Sequence, residues 1–535
     1  MHNSAMMRPS NEAAQPDWLQ AAVSDLSRHE AEPALFSNQL SGLVTNLMQA
    51  GVKVPAEALD PLFATLERHV AAPIAQINLG DFARLAQAAN QLWMVSGRDM
   101  ALGSITEHLA TRFGRIAGAL KVRVPQFDAI FDQIFAPAFK SAVRWEETVA
   151  LLRDRMLNPY FGYLDRVYPR AAKSRPEIPA GRPLRIGYFC WSYECTGSFA
   201  IGRILYTMLH GHSKLGASEN ECFIYAQRPC SPETNALFQA LRDLTLRDFS
   251  KLREPEAVAA AMAADRLDAV VMEGFNAFGF RVAQCRAVPL QIYMPLGLHP
   301  LAAPFYDGYL SYENFGDAPY RLGVPRDRTG ILPWMLDPVF LNPPRSPEQI
   351  AAARAALPPG SPVFAAICRM EKISDLYMET MARVLEAAPN AGLLIAGPND
   401  RSRVQRFFDA RGLSARVRTL GSVDAHAFHN AIDVYTDTFP IFGGLAPIEA
   451  MAKGAPAIYM EEPGVHGSDD LRDVSLKAVD TESYFQIALR LATDPAFLAE
   501  RREVAKAVAV ARTDAAAVGR AVVDHVRNLA AGTLI

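Results

Sequence analysis

No uninterrupted apolar run in this 535-residue chain approaches the roughly 20 residues that cross a bilayer, and its opening stretch, MHNSAMMRPSNEAAQPDW, holds no apolar core of signal-peptide length. A cytoplasmic protein with no membrane span is expected. A surplus of either charge is lacking too: Lys and Arg total 54 against 57 Asp and Glu, a formal net charge of -3. Nothing global therefore attracts nucleic acid or an anionic membrane, and any anion site has to be local. Cysteine is sparse. Cys190, Cys195, Cys222, Cys230, Cys285 and Cys368 form no CxxC pair, so neither a zinc ribbon nor a disulfide framework is indicated and reduced thiols are expected. GxGxxG is missing after the first strand of either α/β region, and GxxxxGK[ST] is missing altogether. The standard dinucleotide and P-loop signatures are thereby excluded.

Hydrophobic residues make up 50% of the chain, enough for the cores of two or three domains. Up to about residue 175 the pattern is helical throughout. SNQLSGLVTNLMQAGV, GDFARLAQAANQLWMVSG and EETVALLRDRMLNPYFGYLDRVY repeat apolar residues at three and four spacing, and strand-like alternation is missing. Without a convincing 34-residue self-similarity, a packed bundle over 1–175 is expected rather than a repeat array. KSRPEIPAGRP, Lys173 to Pro183, has the proline and glycine density of a linker. Strand-like LRIGYFC, ECFIYAQ, LDAVVMEG, PLQIYMPLG and YDGYLSYE then alternate with helical segments, the pattern of parallel βαβ units over 183–335. After Leu332 to Gln349 the alternation begins afresh, with PVFAAICRM, AGLLIAGP, ARVRTLGS, DVYTDTFP and APAIYM as strands of a second lobe over 345–510 and a C-terminal helix over 511–535. The fold expected is α/β: two Rossmann-like lobes facing across a cleft, behind an all-α N-terminal domain. Ligands of such sheets gather at the carboxyl ends of the strands.

One loop at such an end stands out. After DVYTDTFP the chain turns through Gly443 and Gly444 into the helical APIEAMAKG, which leaves unpaired backbone N–H groups at a helix start where a phosphate fits. Glu449, about one and a half turns further, can accept bonds from two ribose hydroxyls. The competing reading is a plain glycine turn with Glu449 solvated on the helix surface. Lys372, just past the first strand of the same lobe, lies on the same sheet edge. Together, lysine and loop can hold a diphosphate without a metal, since a charge-assisted hydrogen bond contributes about 1.5 to 3 kcal/mol and a helix terminus about 0.3 to 2.

The run ICRMEKIS, followed by LGSVDAHAFHNAIDVYTDTFPIFGGLAPIEAMAKGAPAIYM, resembles the C-terminal lobe of the glycosyltransferase family that contains O-GlcNAc transferases and the bacterial adhesin N-glycosyltransferases. Upstream, LRIGYFCWSYECTGSFAIGRILYTM and IYMPLGLHP are similar to that family's first strand and helix and its donor-facing loop, so the resemblance spans roughly 183 to 510. It implies a GT-B architecture with the first lobe on the acceptor side and the second on the UDP-sugar side. It further implies an inverting transferase that uses a UDP-sugar, needs no cofactor or metal, and modifies an Asn or Ser/Thr side chain of a polypeptide such as an adhesin or other surface protein. By the same resemblance Arg369, Lys372, Gly443, Gly444, Leu445 and Glu449 would bind the nucleotide sugar. The chain departs from the adhesin-modifying branch in reading FGGLAP where that branch is asparagine-rich, and His426 and His429 fall later than that branch's histidine.

His299, in MPLGLHPLAAPFYDGY, is the best-placed cleft histidine and joins Lys372 as a catalytic candidate, able to contact the diphosphate or accept a proton. Glu194, Glu273 and Asp307 also end strand-like runs of the first lobe, each a candidate base or acceptor-orienting group. Asp469 and Asp470, in VHGSDDLRD, read as solvated loop charges rather than a metal motif. Two other functions stay open at this level: transfer to a glycan or lipid-linked acceptor, and a non-catalytic nucleotide-sugar-binding scaffold.

Overall fold

The structure, a computed structural model, describes residues 17–28, 32–49, 59–71, 78–96, 103–140, 150–168, 182–196, 199–273, 276–294, 302–313, 316–398, 401–439, 444–461 and 474–532. Two compact units divide the chain, Met1–Tyr160 and Phe161–Ile535.

The first unit is built from helices Asp17–Arg28, Pro33–Gln49, Asp60–Ala71, Leu79–Ser96, Gly103–Ala119 and Pro125–Lys140, with no strand among its described residues. Their apolar residues recur at helical spacing. Phe36, Leu40 and Val44 are buried from one helix, Phe82, Leu85, Ala89 and Leu92 from another. Aromatic stacking fills the other end of the core, with Phe113 on Phe127 and Phe131 on Tyr160, both at 4.3 Å between ring centroids.

Two parallel sheets organise the second unit. The first contains β1 (Leu184–Cys190), β2 (Asn220–Ala226), β3 (Leu244–Asp248), β4 (Ala269–Met272), β5 (Leu290–Tyr293), β6 (Gly308–Tyr312) and β7 (Thr329–Leu332), in the order 3-2-1-4-5-6-7. The second contains β8 (Val363–Ile367), β9 (Gly392–Ala396), β10 (Val417–Leu420), β11 (Val434–Thr436), β12 (Ala457–Met460) and β13 (Lys477–Ala478), in the order 10-9-8-11-12-13. Every pairing is parallel. Both orders reverse direction once, between β1 and β4 and between β8 and β11. Those reversals are the switch points at which open α/β sheets leave a crevice.

The central strands are near-continuous runs of buried apolar residues, as a sheet covered on both faces requires. The sequence pattern does not mark β3, β7 and β13 as strands. β3 and β7 lie at the edges of the first sheet with side chains that are intermediate or exposed except for Leu332, and β13 has only two residues, so none carries the apolar run that marks the others.

Helix Ala515–Ala531 follows the whole second lobe yet packs on the first, against helix Ala200–Leu215 and strands β5 and β7. Val518, Val522, Val523 and Val526 enter the first-lobe core beside Ile186, Tyr188, Leu205 and Leu209. Two glycines set how closely these helices approach. A Cβ at Gly211 would lie 2.1 Å from the Ala515 carbonyl oxygen, and one at Gly519 would lie 2.6 Å from the Gly211 carbonyl carbon. No side chain fits there without separating the backbones. Gly519→Leu is accordingly expected to destabilise the protein by about 3 kcal/mol or more through overpacking. Urea unfolding reads this directly, and a melt matching the wild type would show that the two helices do not need this contact.

Candidate functional site

The second-lobe switch point is formed by the segments that leave β8 and β11. Leaving β8, Cys368 still donates its N–H to the Ala396 carbonyl at 2.9 Å, and the chain then makes a 3-10 turn over Met370–Lys372. Buried Met370 and Ile373 anchor that turn, which leaves Arg369 exposed and Lys372 half-buried. Ser374 follows as the N-cap of helix Asp375–Ala387. Its Oγ accepts from Tyr377 N at 3.0 Å and donates to the Phe439 carbonyl at 2.6 Å. One hydroxyl therefore ties the Lys372 turn to the segment that leaves β11.

That second segment is fixed along its length. Tyr377 Oη and Thr436 Oγ1 share a hydrogen bond at 2.7 Å, Tyr484 Oη donates to the Asp437 carbonyl at 2.9 Å, and the Phe439 ring packs on Tyr377 and Tyr484. Gly443 lies outside the described residues. Gly444 is exposed with φ of 66°, a conformation that L side chains rarely adopt, and Leu445 begins the helix without a side-chain cap. The helix itself, Ala446–Met451, is only six residues long. Its macrodipole is correspondingly small.

Glu449 is not on a solvated surface. It is buried, and its Oε1 accepts from Arg203 Nη1 of the first lobe at 2.7 Å. Burial raises its pKa, against the opposing pull of Arg203 and of Lys453. The same helix sends Leu445 and Ile448 into the first-lobe core, while Ala450 and Met451 stay in the core of the second. Arg203 lies in the first turn of the helix that follows β1, and Glu449 in the first turn of the helix that follows β11. Their ion pair joins the two helices that start at the two switch points. Arg203 carries no motif, and only the three-dimensional packing of the lobes reveals it as Glu449's partner.

His426 and His429 lie three residues apart on helix Ala425–His429, and their ring nitrogens come within 4.8 Å of one another and of a Glu449 oxygen. Both are buried, and neither nitrogen of His429 has a hydrogen-bond partner among the described residues. Three such donors are a familiar metal set. The surrounding positive charge opposes a dication, however: Lys453, Arg203 and Arg345 all act on His426, and Glu449 already receives a guanidinium. Burial, more than those cations, depresses His426 to about 3, which keeps its ring neutral. Lys453, lowered by burial to about 8, donates to the carbonyls of Leu341 at 3.0 Å and Glu449 at 3.2 Å.

In the first lobe the three candidate carboxylates separate by environment. Glu194 accepts from Thr196 N, Thr196 Oγ1, Ser231 N, Ser231 Oγ and Thr234 Oγ1. Burial pushes it up, but those bonds outweigh burial and bring it to about 2. Asp307 is held by both oxygens on Arg286 Nη2 at 2.7 Å and accepts from Gln291 N at 3.0 Å. Glu273 follows β4 directly, and its own N–H donates to the Phe189 carbonyl of β1. Its carboxylate is buried at the switch point and, among the described residues, accepts one hydrogen bond, from Trp191 N at 3.3 Å. Desolvation, which that bond only partly offsets, raises it to about 8. His299 lies outside the described residues, as do Asp469 and Asp470.

The segment 361–494, which holds the Lys372 and Gly444 turns, matches the family model described as Glycosyl transferases group 1. A structure of a Thermobaculum terrenum O-GlcNAc transferase mutant is similar over 97% of this chain and 100% of that one, at a TM-score of 0.57 and 18% identity. A structure of Anabaena Alr3699/HepE in complex with UDP and glucose matches over 64% of this chain and 100% of that one, at a TM-score of 0.46 and 14% identity. No curated protein sequence matches. The fold is of the GT-B type, two Rossmann-like sheets in one chain with a helical N-terminal region.

Two outcomes test the site's electrostatics. Arg203→Met leaves a buried carboxylate unpaired and is expected to destabilise by about 3 kcal/mol, most of it recovered in the Arg203→Met/Glu449→Met double variant. Chemical denaturation of the four proteins measures the coupling, and additive losses would rule out a stabilising pair. The second concerns pH. Because the folded-state pKa of Glu273 lies above the ordinary 4.5, unfolding releases a proton between that pH and about 8, and stability falls as pH rises through this window. Glu273→Gln removes the slope, so its melting temperature gains on the wild type from pH 5 to pH 8.5. Parallel melting curves would refute the buried carboxyl.

Proposed function

We propose that this protein is an inverting, metal-independent glycosyltransferase that moves a sugar from a UDP-sugar to a protein side chain, Asn or Ser/Thr, in the cytoplasm. The observation that carries the reading is the second-lobe switch point. There the Lys372 turn is fastened through Ser374 to Phe439, in the segment that leaves β11 toward Gly444, and both turns lie within the segment that matches a glycosyltransferase family. The diphosphate would lie between Lys372, Arg369 and the backbone N–H groups around Gly443, Gly444 and Leu445. A cation and aimed N–H donors stabilise the charge that grows on the β-phosphate as the anomeric bond breaks, the task otherwise given to a divalent ion.

The acceptor would attack the anomeric carbon opposite UDP, so transfer inverts the configuration, and much of the rate would come from holding the reactants in line. His299, in the stretch that follows β5, would reach the donor from the first lobe. Glu449 would serve the ribose when a nucleotide shares or takes the carboxylate that Arg203 holds. The choice of a polypeptide, such as an adhesin or other surface protein, rests on the sequence resemblance and on the likeness in fold to an O-GlcNAc transferase. Six unpaired cysteines suit a reducing compartment.

Calorimetry with UDP, followed by mass spectrometry of lysate proteins incubated with a panel of UDP-sugars, tests the reading. UDP is expected to bind, Lys372→Ala to weaken it by about tenfold or more, and hexose or N-acetylhexosamine to appear on protein. A wild type that binds no UDP, or a Lys372→Ala variant that binds it as well as the wild type, would defeat the proposal.

A further inference from the structure

We infer that Glu273 is the general base of the transfer, the group that takes the proton from the acceptor nucleophile at the first-lobe switch point. The inference rests on the transferase reading and adds to it the residue that completes the reaction on the acceptor side.

Position comes first. Ligands of doubly wound sheets sit outside the carboxyl ends of the strands where the strand order reverses. In the first lobe that place lies between β1 and β4, and the residues that leave those strands are Trp191 and Glu273. The two are joined directly, Trp191 N to Glu273 Oε2 at 3.3 Å. Trp191 is 42% exposed, so the carboxylate, itself buried, is held by a residue that reaches the surface of the lobe. The Arg203–Glu449 pair ties the helix that follows β1 to the helix that follows β11, at whose start Gly444 lies, and so links the two switch-point regions.

Chemistry then separates the carboxylates that sequence position alone leaves equivalent. A proton carrier must be able to exist in both states. Glu194, with five donors on its oxygens, is a fixed anion that pins the loop after β1 to the start of helix Pro232–Gln239. Asp307 is neutralised by Arg286. Among the described residues Glu273, unlike the other two, has neither a cation nor a set of donors: it lines a small cavity together with Tyr188, Cys190, Leu205, Val271 and Met294. Among the described residues the titratable groups that face it are Tyr188 and Cys190 on β1 and Tyr293 on β5, all pushed well up by burial and so neutral. A carboxyl raised to about 8 is matched to the pKa range in which a base works near neutral pH.

The step balances without a further reactant. The acceptor's O–H or N–H bond breaks and its proton passes to a Glu273 oxygen. The freed electron pair forms the bond to the anomeric carbon, and the bond from that carbon to the β-phosphate oxygen breaks with its pair leaving on UDP. Glu273 returns the proton to solvent once product departs.

Glu273→Gln and Glu273→Asp, assayed with the full chain, lysate protein as acceptor and UDP-glucose or UDP-N-acetylglucosamine as donor, test this. Glu273→Gln is expected to bind UDP within twofold of the wild type while transfer falls about a hundredfold or more. The wild-type rate should rise with pH toward about 8 and level off, following ionisation of the base. Glu273→Asp should keep part of the rate with its midpoint displaced. Transfer by Glu273→Gln within threefold of the wild type overturns the assignment, and so does a wild-type pH–rate profile flat through pH 8, which decides the matter if Glu273→Gln does not fold. A wild type that neither binds UDP nor transfers sugar removes the transferase reading and this inference together. Normal UDP binding and transfer with no effect at Glu273 removes only the inference.

Discussion

The buried contact between the Arg203 guanidinium and the Glu449 carboxylate is the constraint around which the second unit is arranged. A buried ion pair is a weak source of stability, because desolvating two charges offsets most of their attraction, but it is an exacting one for geometry. Arg203 comes from the helix after β1 and Glu449 from the helix after β11, so the pair sets one lobe against the other at the ends where their crevices open. Leu445 and Ile448, which enter the first-lobe core on either side, exclude the water that would otherwise weaken it. A residue that suits a ribose by its spacing is thus also a fastener between lobes. Nucleotide binding and lobe contact would share one carboxylate.

Most of the fold was legible because parallel sheets covered on both faces demand long apolar strands. LRIGYFC, LDAVVMEG and AGLLIAGP each read as such, and each forms a central strand. LTLRD did not, since β3 is an edge strand with half-exposed side chains, and KA of β13 is too short to carry a pattern. The glycine turn was legible for a comparable reason: Gly444 takes a conformation that other residues avoid. The environment of Glu449 was not legible. Periodicity places a residue on a face of its helix, but says nothing of which distant segment covers that face, and Arg203 lies 246 residues away. The same holds for Glu194, Asp307 and Glu273. At sequence level they are three acids ending three strands, and what distinguishes them is the number of donors that the fold aims at each.

The two switch points differ in their charge. At the second, Arg369 is exposed and Lys372 half-buried near an exposed Gly444, and under the proposed transfer this is where a highly charged diphosphate would enter and leave. At the first, the Glu273 carboxyl lies among mostly apolar side chains, where under the same proposal a proton would be taken and given back. The imidazoles of His426 and His429, buried beside Glu449, are held neutral by burial and by neighbouring cations.

Helix Ala515–Ala531 has a bearing on how such a molecule is made. The first lobe's core is closed by valines that follow the entire second lobe in the chain. During synthesis the second lobe can bury its own apolar faces while the first still lacks one wall, so the first lobe to emerge is the last whose core can close. Until then the face of helix Ala200–Leu215 that Ala515–Ala531 covers lacks its partner, and a nascent chain stalled within the second lobe would present it to whatever chaperone or neighbouring chain it meets.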